Sequence, residues 1–293
     1  MPPSDRRSSS GSCSKLTPRR LGVFRPRVAD IWPIKARYGC TSAHLADIVA
    51  DIWPQASRPA APPHHFTGSS VIQTAAPPPR AWTLFGLAIA LFALPLLTTG
   101  FRLIGGPIQN EGVYLARELL LFLTFGALLW IVRRGERLPL GSLGWSTASI
   151  GRSLLWGLIG AVLCAVGLVA CMGIISITGM HFGGDGKSAF TPPAWAMLIT
   201  VLRAGVIEET FYRGYAIERL QRLTGSAPLA FALPLVVFAA AHYRQGSGGI
   251  LIALVMGAIL AIMFLKRRDL LAVMTAHFIV DFVPNILLPM LSD

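Results

Sequence analysis

Charge is what this chain has least of. Only 14% of its 293 residues are Asp, Glu, Lys or Arg, against 53% hydrophobic, and mean hydropathy is +0.59. That excludes a soluble globular domain and fits a polytopic membrane protein. Cysteine is scarce too, at four residues: Cys13, Cys40, Cys164 and Cys171. No CxxC pair and no disulfide framework can be drawn from them. Cys164 and Cys171 share a face of one apolar helix and read as small packing residues. Other absences narrow the chemistry. HExxH is missing, which excludes a zincin-like site. No GxSG-like serine element and no GxGD aspartyl pair falls inside an apolar run, since Asp185 lies in a loop. The N-terminal region has no apolar core leading to a small-residue cleavage site, as a secretory signal would.

What the chain has instead divides at about residue 80. Residues 1–80 are rich in Ser, Pro, Arg and Ala, with no sustained apolar period, and read as a disordered basic segment. Val28–Pro33 (VADIWP) returns at Val49–Pro54, too few copies for a solenoid. Three readings of this segment stand: a cytoplasmic tail, an Arg/Ser-rich transit peptide, or translated upstream DNA. The last is preferred, with Val71 as one alternative start. The net charge of +12 does not indicate nucleic-acid binding. The basic tail and basic loops account for it.

From residue 81 onward, long apolar runs alternate with short polar loops. A span takes ~20 residues, and lipid forces it to be helical. Spans are expected at about 81–99, 113–132, 154–178, 194–223, 227–242, 249–265 and 270–289. This is an all-α transmembrane bundle of seven helices, or eight if the last boundaries shift. Arg133, Arg134, Arg137, Arg152, Arg219, Arg222 and Lys266–Arg268 fall in alternate loops. By the positive-inside rule the N-terminus faces the cytoplasm and the C-terminus lies outside. Arg219 marks the membrane surface on this reading.

Three polar islands interrupt the apolar half-chain: EETFYRG at 208–214, FAAAH at 238–242 and HFIVD at 277–281. An ionisable residue within a span costs at least ~2.5 kcal/mol and points to function by default. The tight turn at 224–226 places Glu208 and His242 at equal height, ~24 Å from it. Taken from the Arg219 level both are ~16 Å deep, and His277, nine residues past Arg268, is ~14 Å deep, so the three fall in one layer. Glu209 and Arg213 are one turn apart and can pair, as are His277 and Asp281. The same turn takes Glu208 to Tyr212, which leaves its carboxylate free to face His242. Each island alone reads as structural, a packed ion pair or a core histidine. Their coincidence in depth on separate spans favours a functional site. Proton relay is the main competitor, because carboxylate and His chains also build pumps. Arg203 is five residues before Glu208 and therefore off its face. Outward snorkelling is its plain reading, with pairing to an acid on another helix or to a substrate carboxylate as alternatives.

EExxxR, FxxxH and HxxxN/D on consecutive membrane helices resemble the CPBP family of CAAX prenyl proteases and bacteriocin-processing enzymes, also called Abi. The likeness covers 194–289 and, loosely, everything from residue 81, so 81–293 is expected to form one protease domain. It implies an intramembrane endopeptidase of a bacterial inner membrane, with a cavity open to the cytoplasm. Its partners would be the bilayer and a membrane-associated peptide or protein. By resemblance Glu208 and His242 activate water, Glu209 and Arg213 support them, and His277 with Asp281 forms an oxyanion or ligand pair. Tyr212 and Phe238 are supporting side chains. Many members carry Asn where this chain has Asp281. An ionised Asp cannot donate to an oxyanion, so orienting His277 suits it better. No cofactor is fixed by the pattern, although Glu208, His242 and His277 could serve as a divalent-metal set such as for zinc. A non-enzymatic immunity or anchoring protein of the same fold, or a proton-coupled transporter, would share the pattern.

Overall fold

The computed structural model describes residues 80–105, 110–145, 149–184 and 192–292. The tail, its VADIWP repeat, Cys13, Cys40 and Asp185 lie outside the described residues. Within them all regular structure is helical, and apart from short 3-10 turns at Leu140–Leu143 and Tyr243–Gln245 it falls into seven segments near those expected from hydropathy. These are α1 (Arg80–Ile104), α2 (Glu111–Gly135), α3 (Ile150–Thr178), α4 (194–224), α5 (Ala227–Ala241), α6 (Gly246–Arg267) and α7 (Leu270–Leu291). Five are long and apolar enough to cross a membrane, namely α1, α2, α3, α7 and the stretch Tyr243–Arg267 that contains α6. This is an integral membrane protein.

The boundaries follow local chemistry. Asn110, Ser226 and Asp269 cap α2, α5 and α7 by accepting from the amides of Val113, Leu229 and Ala272. A side-chain oxygen there satisfies an otherwise orphaned N–H. Gly225 ends α4 at φ 66°, a left-handed conformation that glycine adopts without strain and that allows the short turn into α5.

Apolar side chains of α3 such as Val162, Val166, Val169 and Ile177 are exposed, as on a surface that faces lipid. Its other face packs closely through small residues. A Cβ on Gly157 would run into Thr275 and the Ala272 carbonyl, and one on Gly160 into Met263 and Ala276. Without a hydrophobic drive between helices in lipid, such close packing is what holds them together. Cys164 and Cys171 are buried and free, as expected of packing residues.

The most charged helix, α4, is also the most enclosed, with residues 209–220 all buried. Arg219 does not sit at the surface. It is 1% exposed, and its guanidinium grips Glu136 at the end of α2 through Nε and Nη2, at 2.9 and 2.8 Å to Oε2. Glu136 also accepts from Thr83 Oγ1 at 2.9 Å and the Tyr215 hydroxyl at 3.0 Å. Arg219 donates onward to the Ser142 carbonyl and hydroxyl. This buried clamp ties α1, α2, the 140–143 turn and α4 together. Beside it, Glu218 pairs with Arg268, which joins the end of α6 to the same region.

Candidate active site

The site begins with an irregularity in α4. Ordinary α-helix runs over Ala194–Arg203, and then the chain takes π-helical turns over Ala204–Glu208 and Thr210–Ile217. Such wide turns are frequent at functional sites, although this chain also has them at Ile89–Ala93, Ile131–Gly135 and Val283–Leu287. In an ordinary helix Arg203 and Glu208 would be ~140° apart in azimuth. Here they meet, with Arg203 Nη1 3.3 Å from Glu208 Oε1. The expectation that they lie on different faces is therefore corrected, and so is outward snorkelling. Arg203 is 9% exposed and its Nε donates to Glu118 Oε2 of α2 at 2.7 Å. Arg117 holds the other oxygen of Glu118 at 2.6 Å. The result is a line of alternating charge, Arg117–Glu118–Arg203–Glu208.

The neighbouring acid is organised separately. Glu209 is fully buried, and its Oε1 accepts from Arg213 Nη1 at 2.8 Å, the pairing expected from spacing. The same oxygen lies 2.6 Å from His277 Nδ1 on α7. Glu209 Oε2 is buried with no partner. His277 Nε2 is 3.4 Å from Asp281 Oδ2, so both ring nitrogens face carboxylates. That supports an orienting contact between Asp281 and His277.

Phe238 is the common wall on which the islands meet. Its ring centroid lies 4.8 Å from His242, 6.4 Å from His277 and 5.2 Å from Tyr212. The Arg213 guanidinium covers the same ring at 4.5 Å. His242 closes α5, and its Nδ1 is 2.8 Å from the Phe238 carbonyl. A carbonyl only accepts, so Nδ1 carries a proton, and in the tautomer this selects Nε2 is the nitrogen with the lone pair. Glu208 makes no hydrogen bond to His242. Its carboxylate is held by Arg203, and 17% of its side chain remains exposed.

The proposed metal set does not converge. Among the described residues no group of three or more His, Cys, Asp or Glu side chains could hold a metal ion. His277 has both nitrogens on carboxylates and Glu208 sits on a guanidinium, so these donors do not fit one, and no step is routed through a metal. Three participants were missed in the sequence. Glu118 is an acid inside the apolar run of α2, a readable signal, whereas Glu136 follows that helix in the basic sequence RRGER and gives none. Gly257 accepts from Arg213 Nη2 at 3.1 Å, and only its lack of a side chain lets Phe238 and Arg213 approach.

Residues 190–283 match the family model described as Type II CAAX prenyl endopeptidase Rce1-like. No curated protein and no solved structure matches the chain. The matched segment contains Glu208, Arg213, Phe238, His242, His277 and Asp281, so the site lies in the part of the chain that is similar to Rce1-like type II CAAX prenyl endopeptidases.

Proposed function

We propose that this chain is an intramembrane endopeptidase that hydrolyses a peptide bond of a membrane-associated peptide or protein, and that 81–293 forms one protease domain. The observation that carries the reading is a pair of groups with bonding capacity to spare, His242 against the Phe238 ring and Glu208 one turn before Tyr212, which packs on the same ring. His242 keeps a free Nε2 lone pair, and of the two first-motif glutamates Glu208 is the one that retains solvent access. In this reading a water hydrogen-bonds to His242 Nε2 and passes a proton to Glu208 as its oxygen attacks the scissile carbonyl. Glu208 then returns the proton to the leaving amine. Glu209, fixed by Arg213, holds His277 in place, and Asp281 steadies the other end of that ring. In this reading the N-terminus faces the cytoplasm, in keeping with the basic residues of alternate loops.

Purified full-length protein in detergent micelles is expected to cleave an internally quenched farnesylated CAAX peptide, and Glu208→Ala to abolish the cleavage. Comparison of membrane-protein fragments from cells with wild type and Glu208→Ala would then find natural substrates. A transporter remains the second reading, because Asp281, His277 and Glu209 form a carboxylate–imidazole line from a partly exposed to a buried position. Proton-coupled flux into liposomes without proteolysis would select it.

A further inference from the structure

The Arg117–Glu118–Arg203–Glu208 line has no place in the water-activating step, yet it ends on the proposed base. An Arg within a span must be compensated, and this one is compensated twice. Its Nε serves Glu118 at 2.7 Å and its Nη1 serves Glu208 at 3.3 Å, so the fork divides between two helices. The hold takes Glu208 Oε1 and leaves Oε2 for the reaction. The wide turn at 204–208 is what permits the contact. Tyr114 reinforces the arrangement from α2, donating to the Ala196 carbonyl at 2.7 Å and meeting the Thr200 hydroxyl, one turn before Arg203.

We propose that Arg203 and Glu118 are positioning residues for Glu208, with Arg203 fastening one carboxylate oxygen and Glu118 fixing Arg203 in that pose. The proposal rests on Glu208 being the base. Neither residue touches the reacting atoms. Glu209 and Arg213, which face the other side of the motif, form a separate pair and are outside this device.

The test has two arms, both on full-length protein in micelles. In the first, a hydrophobic carbodiimide labels carboxyl groups and mass spectrometry reads each site. An ion-paired carboxylate reacts slowly, so Arg203→Gln is expected to raise labelling at Glu208 several-fold and leave Glu209 as in wild type. Unchanged labelling at Glu208, or an equal rise at both glutamates, would overturn the proposal. In the second arm the quenched farnesylated CAAX peptide is the substrate. A misplaced catalytic group costs on the order of 10- to 100-fold, and that loss in kcat is expected for Arg203→Gln, with KM held within about twofold. Arg203→Lys, which keeps charge but cannot fork, should recover part of the rate. Glu118→Gln should lower kcat by a smaller factor at constant KM, and full kcat there would remove Glu118 from the device. A raised KM with unchanged kcat in Arg203→Gln would make Arg203 a substrate-binding residue and overturn its positioning role. If Arg203→Gln does not accumulate, Arg203→Lys carries both arms, and wild-type labelling and rate in it would count against the proposal. Wild-type cleavage by Glu208→Gln would sink the base assignment, while the labelling arm would still report on the contact.

Discussion

Two buried charge clusters sit on α4 about two turns apart, and they are built on different terms. Around Arg219 and Glu136 both carboxylate oxygens are occupied, one by a hydroxyl pair and guanidinium, the other by the guanidinium fork. Around Glu209 the ledger is open. One oxygen carries two donors while the other has none, and His242 keeps an unused nitrogen. A saturated cluster can only hold, and leaving a group unsatisfied is costly. The open cluster keeps capacity to bind a water or a reacting group, at the expense of stability.

The comparison can be tested at its strongest point by removing the arginines. Arg219→Ala and Arg213→Ala each strand a buried carboxylate, and each should cost ~3–5 kcal/mol of folding stability. Membrane yield and thermal unfolding in detergent would show it. Replacing both partners by apolar residues separates the clusters. Glu136→Leu with Arg219→Met should recover folded protein and cleavage together, because an apolar pair can substitute for a structural ion pair. Glu209→Leu with Arg213→Met should recover folded protein without cleavage. Recovery of cleavage in the second pair would place Glu209 outside the chemistry.

Glu208→Gln is the inverse case. It should lower cleavage of the quenched peptide by about 10²- to 10⁴-fold, as loss of a general base does, with membrane yield near wild type. If Glu208→Gln aggregates while Arg213→Ala folds and only loses activity, the roles of Glu208 and Glu209 are reversed. A smaller effect is expected at Gly257, where a Cβ would press on Leu235, Phe238 and Arg213. Gly257→Ala should cost ~1–3 kcal/mol by overpacking, read as a lower unfolding temperature. The smallest belongs to Asp281, whose side chain is 35% exposed. Ion pairs this open are weak, so Asp281→Asn should keep cleavage within about fivefold of wild type. A larger loss would bring Asp281 into the open cluster as an equal of Glu209.

Hydropathy was enough to find the helical segments of the described residues, five of them long and apolar enough to span, because a span in lipid has one structural solution. The Glu209–Arg213 and His277–Asp281 contacts were legible for a similar reason, since one-turn spacing maps onto one face. The tie between Glu209 and His277 was not, because spacing along a chain says nothing of which side chains meet across helices. Arg219 was misplaced because its partner, Glu136, sits at the end of a different span and is ordinary in its local sequence. Glu118 could have been noticed as an acid amid LARELLLFL. Arg203 was judged by the wrong pitch.

That last error has a wider bearing. A π turn is an ordinary helix that has swallowed one residue, while the helix on either side keeps its phase. Arg203 therefore behaves toward Glu208 as if four positions separated them rather than five. Counted this way, one residue between Ala204 and Ile207 is slack. Deleting Val206 would let the turn relax to ordinary pitch and still leave the guanidinium facing the carboxylate. Deleting one residue from the regular stretch before Arg203 would instead turn everything upstream by about 100°, away from Tyr114. In α4, where a residue is lost matters more than how many are.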